Sequence, residues 1–390
     1  MFGIHLKRGG EKIVAVVDIG SGSAAVAIIA VPKTGPVRLL AARRGILSLE
    51  ERTPAAVVSA IAAHLLEVGQ QVLAEYRKHG GPQPESVYAV IRAPWTRSKT
   101  VEARMVFPEM TRTSRDMIGK LAQQALSSES DFKAGIIEAG IMRVKVNGYP
   151  TSKPEGRSGT NLSVAALISD CEPALRASVT STLQQLFGAR PVIVRSGVHA
   201  ILSVMRDTPE VPKDFVVVDM ASEGTNFMVV RDSITTDHGI SNEGKTTILK
   251  RISADGMIEN TLTLLRLVAR GECHDPACDA LNTAMAKAEP ELVRVFGEVI
   301  AKLVSRERLP NHLILATHED LAPWLTKLFS RIDFAQFTTT TQPFKVLPLS
   351  SADFGRWVLT DGIVRVDTGM LIAATLVNIE QDRASFGDVE

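Results

Sequence analysis

The sequence of 390 residues has few aromatic side chains and almost no excess of charge. Phe, Trp and Tyr make up 5% of the residues, and the net charge at pH 7 is +1. A nucleic-acid-binding surface usually shows an excess of Lys and Arg, and proteins that bind single strands add aromatic side chains for base stacking. We therefore expect no nucleic-acid partner.

Cysteine is also scarce, and the three cysteines are an odd number. Disulfide frameworks are typical of secreted chains with paired cysteines, so we expect reduced cysteines and a cytoplasmic protein. The segment CHDPAC places Cys273, His274 and Cys278 at a spacing that a zinc site can use. Because Cys171 is far away in the sequence, a surface loop is the preferred interpretation.

Long apolar runs are missing as well. None reaches the ~18 residues that a membrane-spanning helix needs, and the N-terminal segment MFGIHLKRGG lacks the features of a signal peptide. The final segment NIEQDRASFGDVE is polar and acidic, without an apolar face. We expect the protein to reach the inner face of the cell membrane only indirectly, through a partner.

One strand pattern occurs twice in the chain. The segment KIVAVVDIGSGSAAVAIIAV has two apolar runs around a Gly/Ser turn, and a third run follows, which predicts an antiparallel meander. The segment FVVVDMASEGTNFMVV repeats the arrangement after the linker TPEVPKD. Asp18 and Asp219 thus end equivalent buried strands, which indicates an internal duplication.

An Asp at the end of a strand, followed by small residues, has a specific chemical use. The backbone N–H groups of the turn can hold a phosphate, while the carboxylate holds magnesium and its waters. Two such turns facing each other would clasp a nucleoside triphosphate. We therefore expect Asp18 and Asp219 to lie across one cleft as metal ligands.

These motifs resemble those of the actin/Hsp70-like superfamily, and within it the bacterial cell-division protein FtsA and its relative PilM of type IV pilus assembly. VVDIGSGSAAVAII is similar to the first phosphate motif, FVVVDMASEGTNFMVV to the second, and HLILATHEDLAPWL to the adenosine motif. VKVNGYPTSKPEGRSGTNLSVAALIS is similar to part of the subdomain that FtsA inserts. The resemblance implies an α/β, actin-like (ribonuclease H-like) two-domain fold with an inserted small α+β subdomain.

The same resemblance implies a site for ATP and Mg²⁺. Its cofactor-binding residues would be Asp18, Gly20, Ser21, Gly22, Ser23, Asp219, Ser222, Gly224, Thr225, Asn226, Thr317 and His318, with no catalytic residue assigned. The second motif departs from the family, because Ala221 replaces a Gly, Glu223 adds a negative charge and Asn226 replaces an Asp. Thr317 and His318 replace glycines of the adenosine motif, and Trp324 replaces another. We therefore expect ATP to bind weakly or not at all.

The expected domain order follows from the same motifs. Residues 1–84 begin the first domain, 85–190 form the inserted subdomain, 191–213 return to the first domain, 214–240 begin the second domain, 241–304 form a helical subdomain and 305–390 complete the second domain.

The segment GISNEGKT, Gly239–Thr246, also matches the phosphate-loop pattern G-x-x-x-x-G-K-[ST]. A functional phosphate loop follows a buried parallel strand and opens a helix, whereas the residues before Gly239 are polar and rich in Thr. We expect the match to be accidental. Thr246 or Thr247 would then cap a helix, with Lys245 as a solvated residue of its first turn.

The resemblance implies an FtsA-like cytoplasmic scaffold that self-associates and tethers protein partners in cell division, with a degenerate nucleotide site. The alternatives are a PilM-like adaptor in type IV pilus assembly and an active Mg²⁺-dependent ATP-binding filament protein. The least favoured alternative is a phosphate-loop nucleotidase that uses Gly239–Thr246.

Overall fold

The computed structural model describes residues 10–47, 53–128, 132, 135–253, 257–274, 276–304, 307–360 and 366–387. Residues 1–9, which make up most of the N-terminal segment MFGIHLKRGG, lie outside these ranges, and so do residues 388–390. In the C-terminal segment, the backbone continues as helix to Gly387.

The strands and helices follow one another in mixed order. The strands are β1 Lys12–Ile19, β2 Ser23–Val31, β3 Val37–Ile46, β4 Ser86–Ile91, β5 Thr96–Arg112, β6 Ile136–Val146, β7 Tyr149–Pro150, β8 Ser158–Cys171, β9 Val192–Ser196, β10 Phe215–Met220, β11 Thr225–Arg231, β12 Ile234–Ser241, β13 His312–Ala316, β14 Lys345–Pro348 and β15 Val358–Leu359. The helices are α1 Pro54–Lys78, α2 Arg115–Ser127, α3 Pro173–Phe187, α4 Gly197–Arg206, α5 Lys245–Ile252, α6 Ile258–Arg270, α7 Pro276–Leu303, α8 Ala322–Phe329 and α9 Thr368–Gly387.

Two sheets share one topology. The first has the strand order β15-β3-β2-β1-β4-β9, and the second has the order β12-β11-β10-β13-β14. In each sheet a three-stranded antiparallel meander comes first in the sequence, and two further strands then add in parallel. The duplication indicated by the repeated sequence pattern is therefore present in the strand order as well.

The two sheets and their helices form five layers. Helices α4 and α9 lie between the sheets, and one apolar cluster joins them to the inner faces of both. Helices α1 and α3 cover the outer face of the first sheet, whereas α5 to α8 cover the outer face of the second. The cleft between the sheets opens where β1 and β10 end.

A third sheet, with the order β5-β8-β6-β7, forms a separate lobe together with α2. The lobe spans 96–171, which is narrower than the 85–190 subdomain expected from the sequence. Strand β4 pairs within the first sheet and α3 packs on its outer face, so both belong to the first domain. Strand β5 was not foreseen, because it lies at a sheet edge and its exposed residues weaken the apolar alternation.

Helix α1 begins as the sequence predicts, with Thr53 as N-cap and a Pro in its first turn. It is long and apolar enough to cross a membrane by length and composition. However, Ile61 and Leu65 are fully buried in the cluster that covers the first sheet. The helix is therefore part of the core of the first domain.

The cysteines differ from the expectation that all three are reduced. Cys273 and Cys278 form a disulfide across the loop before α7, with a Cα–Cα distance of 5.9 Å that suits this bond. The two thiols are thus not available to bind zinc beside His274. Among the described residues, no group of three His, Cys, Asp or Glu side chains forms a metal site. Cys171 is free and buried.

The contact between α1 and the first sheet predicts unequal costs for two adjacent leucines. Leu65→Ala removes a fully buried side chain and should lower the free energy of unfolding by about 2–5 kcal/mol. Leu66→Ala, at a half-buried position, is the matched control and should cost less. Urea denaturation of both variants measures the difference. Equal costs would contradict the orientation of α1.

Candidate functional site

The alternation of side chains along a strand decides where the two aspartates point. In β1, Val16 and Asp18 share the face that packs against the central helices, and in β10 Val217 and Asp219 do the same. Both carboxylates therefore lie between the two sheets. As expected from the sequence, they face each other across one cleft.

The cleft has a volume of about 240 Å³. Seven of the residues expected from the sequence line it: Asp18, Gly20, Ser23, Asp219, Ser222, Thr317 and His318. Three others, Gly224, Thr225 and Asn226, line a smaller neighbouring cavity of about 60 Å³. Ser21 and Gly22 lie in the first turn and contact the second turn instead.

A buried arginine joins the two aspartates. Arg92 follows β4 directly, and its Nε donates to Asp18 Oδ1 at 2.6 Å. Its Nη1 lies 3.1 Å from each carboxylate oxygen of Asp219, and its Nη2 donates to the backbone oxygen of Gly369 at 3.2 Å. One guanidinium therefore occupies the space between the carboxylates in which a metal ion was expected.

A second arginine neutralises the other side of Asp18. Arg44 Nη2 donates to Asp18 Oδ2 at 2.6 Å, and Arg44 Nε donates to Asp367 Oδ2 at 2.5 Å. Its Nη1 donates to Ser23 Oγ at 2.8 Å. Asp367 in turn accepts from the backbone N–H of Met370 in the first turn of α9. Two arginines and three aspartates thus form one connected network.

The protonation of the network follows from burial and charge together. Burial raises the pKa of Asp219, and Arg92 opposes this shift while the neighbouring charge of Asp18 adds to it. Burial acts on Asp367 in the same direction, but the charge and hydrogen bonds of Arg44 outweigh it and hold the pKa of Asp367 at about 2. The carboxylates raise the pKa of Arg92 above its usual value despite its burial. The arginine therefore stays charged.

The turns that follow the two aspartates touch each other. The N–H of Glu223 donates to Ser21 Oγ at 3.2 Å. A methyl group built on Gly22 would lie 2.5 Å from the Cβ of Ser222, so the turns approach without a gap. One backbone N–H that could help to cradle a phosphate, that of Glu223, is instead bound to a side chain of the opposite turn.

These contacts do not fit Mg²⁺ and ATP. A magnesium ion needs carboxylate oxygens that are free to bind it and its waters, whereas Asp18 and Asp219 are bound to guanidinium groups. A triphosphate would have to lie between the two turns, but the turns touch and leave no space for it.

The departures noted in the second and third motifs have different positions. Asn226 pairs with Asp219 across β10 and β11, and its side chain contacts His238 rather than the cleft. Ala221 lines the cleft. Trp324 is buried in the helical layer, where its Nε1 donates to Glu289 at 2.9 Å, and it does not line the cleft.

The phosphate-loop match lies on an antiparallel strand. Gly239 belongs to β12, which pairs antiparallel with β11, so the parallel strand of a true phosphate loop is missing. The N–H groups of Lys245 and Thr246 donate to the oxygens of Ala221 and Ser222 at 2.9 and 2.8 Å. They are not free to bind a phosphate.

Two details of this segment differ from expectation. Gly244 is the N-cap of α5, and the hydroxyl of Thr247 accepts from its N–H at 2.8 Å. Lys245 is not a solvated first-turn residue, because its side chain lines the cleft and burial lowers its pKa.

Arg44, Arg92 and Asp367 were missed by the sequence reasoning. A signal for Arg92 did exist, since this residue continues the inner-face row of Tyr88 and Val90 at the end of a buried strand. A charged residue in such a row requires a buried partner. Nothing in the sequence connected Asp367 with this network, because it depends on how α9 packs.

The network predicts a large cost for loss of its central cation. Arg92→Met should lower the free energy of unfolding by about 3–5 kcal/mol, because two buried carboxylates lose their partner. Adding Asp219→Asn should restore part of the loss. Arg294→Met is the control, since Arg294 forms only exposed ion pairs and should cost no more than about 1 kcal/mol. Similar costs in denaturation experiments for the two arginines would contradict this role of Arg92.

The low pKa of Asp367 predicts a pH-dependent contribution to stability. A folded-state pKa of about 2, below the ordinary 3.8, stabilises the fold above about pH 4 and loses that contribution as the pH falls towards 2. Because two-fifths of the side chain is exposed, solvent keeps the contribution small. Urea denaturation should show Asp367→Asn as less stable at pH 6, with a difference that shrinks below pH 4. A constant difference would be the opposite result.

Comparison with known proteins supports the fold. No protein-family profile and no curated protein sequence matches the chain. Among solved structures, the PilM–PilN type IV pilus biogenesis complex is 15% identical, with 97% of this chain and 98% of that chain covered and a TM-score of 0.51. The ethanolamine utilization protein EutJ from Carboxydothermus hydrogenoformans is 11% identical, covering 96% and 92% at a TM-score of 0.44. The MamK double helical filament is 8% identical, covering 94% and 98% at a TM-score of 0.45. The similarity to the PilM–PilN complex, together with the duplicated sheets, confirms the actin-like fold.

Proposed function

We propose that this protein is a scaffold of the actin fold that binds protein partners and works without Mg²⁺-ATP. The observation that carries this proposal is the position of Arg92 between Asp18 and Asp219. A metal ion would have to displace a guanidinium that hydrogen-bonds to both carboxylates and is nearly fully buried. Such displacement would leave a buried charge without a partner, which costs several kcal/mol.

The role of the scaffold is of the FtsA or PilM type. The strand–loop–strand of the inserted lobe supports an FtsA-like protein that self-associates in bacterial cell division. The fold similarity to the PilM–PilN complex over 97% of this chain supports a PilM-like adaptor in pilus assembly. For either role we propose a cytoplasmic protein at the inner face of the membrane, which it reaches through its partner.

The inserted lobe forms polar contacts with both domains. Glu138 of β6 accepts from the N–H of Ser196 at 3.1 Å, at the start of α4. Arg143 of the same strand donates to Asp232 of the second domain at 2.6 Å. The lobe is thus tied to both domains. We propose that it works as a fixed part of the scaffold.

A calorimetric titration with Mg²⁺-ATP tests the nucleotide-independent part of the proposal. The full chain should show no dissociation constant tighter than about 1 mM, an interaction of only about −4 kcal/mol. Arg92→Gln is the informative comparison, since removal of the guanidinium should make the carboxylates sensitive to Mg²⁺ in thermal denaturation. A low-micromolar dissociation constant for the unmodified chain would refute the proposal.

The choice between the two roles needs a separate measurement. The genes beside the coding sequence identify the candidates: a tubulin-like division protein or a pilus protein of the inner membrane. Binding of the purified chain to the cytoplasmic segment of each candidate should be saturable for one of them. Absence of binding to both would contradict the scaffold role, whatever the outcome with nucleotide.

A further inference from the structure

Lys245 is the basic residue of the cleft that the arginine network leaves out. Arg44 and Arg92 contact the three aspartates directly. Within the described parts of the chain, the Lys245 ammonium forms no ion pair and no hydrogen bond, although it lines the same cleft. Burial lowers its pKa, and the nearby charge of Arg44 lowers it further, against a smaller opposing effect of Asp367. The ammonium is thus placed beside positive charge with little compensation.

His318 lies within electrostatic reach of this ammonium. Burial has the largest effect on the pKa of His318 and lowers it, and the charge of Lys245 lowers this pKa further. The Nδ1 atom of His318 accepts from the backbone N–H of Asp320 at 3.3 Å. The neutral ring therefore carries its proton on Nε2, which is a hydrogen-bond donor.

Two hydroxyl groups complete the set. The side chains of Ser222 and Thr368 line the cleft, and in the described structure neither hydroxyl has a hydrogen-bond partner. The unused groups of the cleft are therefore an ammonium, an imidazole N–H and two hydroxyls. The carboxylate oxygens, which could accept hydrogen bonds, are already bound to the arginines. A ligand that suits this set is rich in acceptors and negatively charged.

The size of the cleft limits the ligand further. Its volume of about 240 Å³ is below the ~300–1,000 Å³ of sites for drug-sized ligands. A tetrahedral phosphate has several acceptor oxygens in a small volume, and a lysine binds it as a point charge. A nucleoside triphosphate with its metal ion is much larger.

We propose that the cleft binds a small phosphate dianion, free or as a phosphomonoester, directly through Lys245 and without a divalent cation. Lys245 supplies the charge, while His318, Ser222 and Thr368 donate hydrogen bonds to the phosphate oxygens. The arginines bind the aspartates and so reduce their repulsion of the anion. The match to the phosphate-loop pattern thus provides a phosphate-binding lysine, although the loop around it does not form the phosphate cradle.

The experiment is a calorimetric titration of the full chain with inorganic phosphate and, separately, with the small monoester methyl phosphate. Each titration is run in EDTA and again in Mg²⁺. We expect at least one probe to bind with the same affinity in both buffers, and the tighter probe identifies free phosphate or an ester as the source. Lys245→Gln should weaken binding about tenfold or more, because a charge-assisted contact is lost. Lys250→Gln, at an exposed position of the same helix, is the matched control and should change nothing.

Three results would overturn the proposal. They are absence of binding by both probes, binding that requires Mg²⁺, and equal effects of the two lysine substitutions. Thermal denaturation guards against a folding defect, since the Lys245→Gln variant should melt like the unmodified chain without phosphate and should lose the stabilisation that phosphate gives. The scaffold proposal is tested by partner binding and Mg²⁺-ATP, so failure of phosphate binding would leave it standing.

Discussion

The structure depends on one buried guanidinium. Arg92 of the first domain contacts Asp18 of its own sheet, Asp219 of the opposite sheet and the backbone of Gly369 in the helix between them. Only a small fraction of each carboxylate side chain is exposed to solvent. Each carboxylate therefore needs a partner inside the protein. The distance between the domains is therefore set by a side chain that reaches across it.

A cation that belongs to the chain differs from a metal ion that diffuses in with a nucleotide. Its presence at the site is fixed by the fold, so the contact between the two carboxylates is made by the chain's own side chain. The contact between Gly22 and Ser222 has the same effect, because it brings the two turns together without a bridging phosphate.

The sequence predicted the fold well because its signals are local and repeated. Two strands that each end in Asp before a turn of small residues were enough to predict facing carboxylates. Arg92 was not predicted, because its position beside Asp18 depends on the parallel register of β1 and β4, which are separated in the sequence by β2, β3 and α1. Lys245 was assigned to solvent for a similar reason, since only the packing of α5 against the second turn brings it into the cleft. Long-range register and helix packing are the parts that one sequence does not reveal.

The contact of Gly244 with the second turn has a mechanical consequence. A methyl group built on Gly244 would lie 2.3 Å from the backbone nitrogen of Gly224. The start of α5 is therefore in direct backbone contact with the turn that follows Asp219. Helix α5 packs on α7, which at 28 residues is about 42 Å long. Since buried side chains from Leu281 to Leu303 hold α7 in the same core, α5 and the helical layer form one continuously packed unit, and any displacement of the turn would have to carry that layer with it.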